Sequence, residues 1–151
     1  MIKESALAEI TLRRYEKPYE LTERELIKKI CLSLGLLQEG DSRDVVIDIL
    51  FVLLEAGKLK KELGEDEIKN KVIGLRKSFK LELKGIANSN IRRQLKRLRD
   101  ILLVEKISNN YRISGFSNIS EVFESKIEKF LIPQIIERIK EYIFELEKQE
   151  K

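Results

Sequence analysis

Apolar residues recur at helical spacing along most of this chain, and that periodicity constrains the fold more than any motif in it. In residues 66–84, Ile68, Val72, Leu75, Phe79 and Leu83 fall at intervals of four, three, four and four. They stripe one side of a helix with Gly85 placed to cap its end, and the pattern leaves open whether Gly74 or Ser78 breaks it into two. Only two Pro and seven Gly interrupt such patterns in 151 residues, so the chain reads as mainly α with little strand. Thr22 and Glu25 have capping-box spacing and open a helix to about Leu34, stopped by Gly35. Asp41 or Ser42 caps a second helix, 43–56, ended by Gly57, whose apolar positions cover most of its circumference and mark it as the centre of the core. Asn88, Ser89 and Asn90 are competent caps for a helix from about Asn90 to Leu102, with Ile91, Leu95, Leu98 and Leu102 on one side. Residues 104–107 and 111–113 alternate around Ser108, Asn109 and Asn110, whose Asn residues tolerate positive φ, and read as a small β-hairpin. A last helix is capped within 118–121 and runs to about Glu147, with Pro133 expected to kink it.

Composition bounds the chemistry. There is no His and one Cys, which excludes zinc fingers, Ser-His-Asp triads and disulfide frameworks. The expectation is a binding protein, not an enzyme, with no metal and no cofactor. Cys31, between Ile30 and Leu32, reads as a small buried apolar residue. Asp41, Asp44 and Asp48 share a helix start, where capping and dipole complementarity explain the first two more simply than a bound cation. The longest apolar run, 45–54, is ten residues and contains Asp48, far short of the roughly 20 that span a membrane. The amino terminus lacks a continuous hydrophobic region, so a cytoplasmic protein with no membrane partner is expected. Heavy use of Lys, Glu and Ile without Trp or His resembles hyperthermophile proteins and points to an archaeal source.

Charge is unevenly placed. Residues 1–40 are neutral, 41–85 carry +1, 86–114 carry +5 from seven bases against two acids, and 115–151 carry −2. The basic excess therefore belongs to one helix and hairpin. With Ile91, Leu95, Leu98 and Leu102 turned inward, Ser89, Arg93, Lys96 and Arg97 point outward and Arg92 and Arg99 lie on one flank. Such a helix fits the major groove of duplex DNA, where guanidinium groups bond guanine edges or phosphates. Asn88, Ser89 and Asn90 present backbone amides suited to a phosphate. A solvated Lys/Arg face, or a protein-interaction module, is the alternative reading of the same pattern.

The run from Leu83 to Arg99, a helix, a turn marked by Gly85 and a second helix, resembles the winged helix-turn-helix superfamily of DNA-binding regulators. The resemblance implies that Gly85 relaxes the turn, that Ile91 packs the second helix on the first, and that Leu95 and Leu98 close the core. Leu103 to Ile107 and Tyr111 to Ser114 match the two strands of the wing, whose tip has no cation, leaving Arg112 as its basic candidate. The implied organisation is a helical N-terminal extension (1–40), a winged helix-turn-helix domain (41–116) and a long C-terminal helix (117–151). Ile132, Ile135, Ile139, Tyr142 and Leu146 fall at spacings of three, four, three and four, a two-heptad seam that either joins two chains or packs on its own domain. The function expected is sequence-specific duplex DNA binding by a homodimeric transcriptional regulator, its effector unknown. Tyr15 and Tyr19, flanking Pro18, are expected to anchor the amino-terminal arm.

Overall fold

The computed structural model describes residues 4–150, so positions 1–3 and 151 of the expected terminal segments lie outside the described residues. The protein is mainly helical with one small antiparallel sheet. In chain order the elements are α1 (Glu23–Ser33), α2 (Val45–Lys58), β1 (Leu63–Gly64), α3 (Glu65–Ser78), α4 (Asn88–Asp100), β2 (Val104–Ile107) and β3 (Asn110–Ile113). A 3-10 turn, Ser114–Phe116, then leads into α5 (Ile119–Val122), a π-helical stretch, Phe123–Leu131, and α6 (Ile132–Gln149).

The capping box of α1 forms as its spacing predicts: the Thr22 hydroxyl accepts from the Glu25 amide, and the Glu25 carboxylate accepts from the Thr22 amide. Gly35 follows with φ +69°, and a Cβ there would collide with the Thr11 side chain, so this turn is closed to larger residues. The arm crosses at that point. Residues 4–21 contain no helix, so the helical part of the N-terminal extension is α1 alone. Arg13 secures the arm by donating to the carbonyls of Leu32 and Leu37 and to Gln38, and Tyr15 donates to Glu39 at 2.7 Å. Tyr15 anchors the arm as expected, whereas Tyr19 is 64% exposed.

Helix α2 runs through the middle of the core, with Val45, Val46, Ile47, Ile49, Leu50 and Leu53 all buried. It starts later and ends later than its pattern suggests. Asp41 accepts from the Gln38 amide instead of capping the helix, and Gly57 lies inside the last turn, where it faces Ile113. Helix α3 is shorter than its apolar stripe. It stops at Ser78 because Lys80 takes φ +56° and the Leu81 amide returns to the Arg76 carbonyl at 2.8 Å, a C-terminal cap built without glycine. Phe79 and Leu83 therefore leave the helix, although Phe79 stays packed edge-on against Phe51.

Helix α4 begins two residues earlier than expected, at Asn88, with Ala87 as its cap, so none of the three polar residues caps it through a side chain. It ends before Leu102, whose φ of +67° lets the Leu103 amide bond the Leu98 carbonyl. Ile101 and Leu103 are buried there, and Leu102 is half-buried. The hairpin forms, with positive φ at Ser108, not at Asn109 or Asn110. Its partner β1 escaped the periodicity: two residues, Leu63 and Gly64, pair with Tyr111 and Asn110 and complete the sheet in the order β1, β3, β2.

At the C-terminal end, Pro133 opens α6, and the preceding stretch takes π-type bonds, as in the Ile132 amide donating to Ile127. The missing proline donor is absorbed in a widened register. Val122, Ile127 and Leu131 are buried on the body, whereas α6 has no buried residue. One apolar cluster joins α1, α2, α3, α4, the sheet and this helical base.

Two guanidiniums converge on the one aspartate of the apolar run. Asp48 is fully buried and is held by Arg24 from α1 and by Arg76 from α3 at 2.6 Å. Arg76 also reaches Asp44 at 2.9 Å and donates through Nε to the Glu82 carbonyl, which fixes the connection into α4. Burial works against the Arg76 charge, but the Asp48 and Asp44 carboxylates outweigh it and raise its pKa. These aspartates serve as internal counter-ions.

Candidate nucleic-acid interface

Helix α4 divides cleanly. Ile91, Leu95 and Leu98 are fully buried, with Gln94 beside them, while Ser89, Arg92, Arg93, Lys96 and Arg99 are exposed. Ser89, Arg93 and Lys96 make up the face directly opposite the core, with Asp100 at its C-terminal end. Lys96 pairs with Asp100 at 3.0 Å and is still 69% exposed, a surface pair worth little and readily exchanged for another anion. Arg93 donates to Asn90 Oδ1 at 2.9 Å. Asn90 in turn donates to the Gly85 carbonyl at 2.7 Å and accepts from Gln94, so its half-buried side chain orients Arg93 instead of facing outward itself.

The flanks differ from the centre. Arg92 lies toward α3 and pairs with Glu65 at 3.3 Å, though its side chain is 60% exposed. Asn88 is turned the same way, donating to Glu65 at 2.7 Å and accepting from Lys69. On the other flank, Arg97 does not point into solvent. It is half-buried, donating to Gln94 and to the Gly35 carbonyl at 2.9 Å, which ties α4 to the end of α1.

Arg112 is likewise occupied. It sits opposite Glu105 in the hairpin and donates to it at 2.6 Å, approaches Glu62 at 3.5 Å, and covers the Phe116 ring at 4.6 Å. Burial pushes the Glu105 carboxyl upward, but the Gly115 amide and the Arg112 guanidinium outweigh it and hold it below the ordinary carboxylate value. Arg112 thus braces the hairpin against the body, and the tip, Ser108 and Asn109, carries no charge.

One basic residue escaped the sequence reading. Arg43 is exposed just before α2 and lines an open hollow with Gly85, Ser89 and Arg93. Its signal is absent from local pattern, because it comes from a segment 50 residues before Arg93 and is brought in by the packing of α2 on α4. Gly85 forms the floor there with φ +75°.

Cys31 is buried as expected, and burial pushes its thiol up to about 12, which leaves it without nucleophilic character at neutral pH. Of the five seam residues, Ile132 and Ile135 are half-buried against the body, and Ile139, Tyr142 and Leu146 are 52%, 71% and 57% exposed. The first turn of α6 therefore packs on the body, and the helix leaves it beyond Ile135. Among the described residues no helix is long and apolar enough to cross a membrane. No family model, curated protein or solved structure matches this chain.

Proposed function

We propose that this chain is a winged helix-turn-helix protein that binds duplex DNA as a homodimer and regulates transcription, without catalytic activity. The observation that carries the reading is the face of α4, where Ser89, Arg92, Arg93, Lys96 and Arg99 stand exposed above a fully buried Ile91, Leu95 and Leu98. In chain order α2, β1, α3, the Gly85 connection, α4 and the β2–β3 hairpin succeed one another, an order compatible with a winged helix. Arg43 adds a cation beside the N-terminus of α4, a position suited to a backbone phosphate. Arg97 and Arg112 take no part in this reading, and Asn88 and Asn90 support the surface from behind.

The hairpin tip is uncharged, and the nearest cation on the hairpin is the exposed Lys106 of β2. A protein-interaction module remains the competing use of this surface, favoured by the acids of α3 that neutralise the Arg92 flank. Replacing Arg93 and Lys96 together by Glu separates the two. Duplex binding should disappear while the melting temperature stays nearly constant, because neither side chain packs in the core. Full affinity in that variant would rule out DNA reading by α4.

A further inference from the structure

The exposed stripe of α6 is wider than a simple two-heptad seam. Besides Ile139, Tyr142 and Leu146, it includes Ile136 and Ile143, which are 47% and 51% exposed. With Ile132, Ile139 and Leu146 at position a and Ile135 and Tyr142 at position d of a heptad, Ile136 and Ile143 fall at e, while Arg138 and Glu145 fall at g. One flank of the stripe is therefore apolar, and the other carries a base in its first half and an acid in its second.

These flanks select an orientation. In a parallel pair of helices, e of one copy lies beside g of the other, which sets Ile143 against Arg138 and strands the apolar flank on a charged one. In an antiparallel pair, e lies beside e and g beside g. Ile136 then meets Ile143 of the second copy, Arg138 meets its Glu145, and each contact occurs twice by symmetry. The same register sets Ile135 opposite Leu146 and Ile139 opposite Tyr142, with Ile132 opposite Gln149 at either end. The present partners of Arg138 and Glu145 are Glu141 and Lys148 on their own helix, in exposed pairs that hold neither side chain strongly.

We propose that α6 pairs antiparallel with α6 of a second copy of this chain, an arrangement that rests on the homodimer proposed above. It puts the two bodies at opposite ends of the helix pair, a geometry that favours two separated DNA half-sites over one contiguous contact.

Disulfide capture without DNA tests this independently of what α4 binds. Ile135→Cys and Leu146→Cys are made as separate chains; the native Cys31 is buried and stays silent. Mild oxidation of an equal mixture should yield the 135–146 cross-link, and neither variant alone should cross-link to itself. Self-linked Leu146→Cys would show parallel helices and overturn the proposal. So would sedimentation of the unmodified protein as a monomer at all concentrations. Should Ile135→Cys not fold, spin labels at exposed Gln149 give the same answer: about 25 Å apart along the axis if antiparallel, against about 10 Å if parallel.

Discussion

At the scale of single residues, the strongest commitment in the fold is Asp48. A carboxylate with no solvent contact is tolerated in the middle of α2 because Arg24 and Arg76 reach it from two different helices. Asp48→Ala leaves both guanidiniums short of a partner, with Asp44 able to compensate only in part, and should destabilise the protein by about 3–5 kcal/mol. For a chain this long, that lowers the thermal midpoint by at least about 6 °C. Scanning calorimetry checks it, and a variant within about 1 kcal/mol of the original would show that the three charges are not coupled. Asp48 was visible in the sequence as the interruption of an apolar run, but its partners were not. They lie 24 and 28 residues away, and no local pattern encodes which bases turn inward.

At the scale of elements, helices with strong periodicity and side-chain caps were legible, and ends set by backbone conformation were not. Helix α1 matches because Thr22 and Glu25 define its start chemically. Helix α3 does not, because its end is fixed by positive φ at Lys80, a residue type that carries no turn signal. Strand β1 was hidden for a related reason: two residues have no period, and it exists only because β3 offers an edge. Face assignment on α4 held for Arg93 and Lys96 and failed for Arg97, since helical geometry alone cannot show that the end of α1 arrives beside it. Arg97→Ala should therefore cost about 1–3 kcal/mol of stability by removing a charged donor from the Gly35 carbonyl. It should leave the salt dependence of duplex binding unchanged, whereas Arg93→Ala should lower the salt slope by roughly 0.9 if Arg93 meets a phosphate. Parallel loss of slope in both variants would contradict the structural role given to Arg97.

At the scale of the whole molecule, the distribution of charge and of exposed apolar surface divides labour along the chain. The basic excess lies in 86–114, chiefly on a helix whose inner face completes the core, while an exposed apolar stripe lies on α6, beyond the body. Segment charge and heptad spacing made both surfaces legible from sequence. The contribution of Arg43 and the widening of the α6 stripe to Ile136 and Ile143 emerged only with the packed structure. In the proposed function the two surfaces would combine into a dimeric reader, in which tethering would let the second half-site contact benefit from effective concentration. The most direct measurement of that account is the affinity of the unmodified protein for random-sequence duplexes across a salt series. Binding should weaken steeply as salt rises, with a log–log slope of about −0.9 for each phosphate neutralised and a total reflecting several contacts. Micromolar or weaker binding with almost no salt slope would contradict DNA recognition and leave α4 as a surface for another protein.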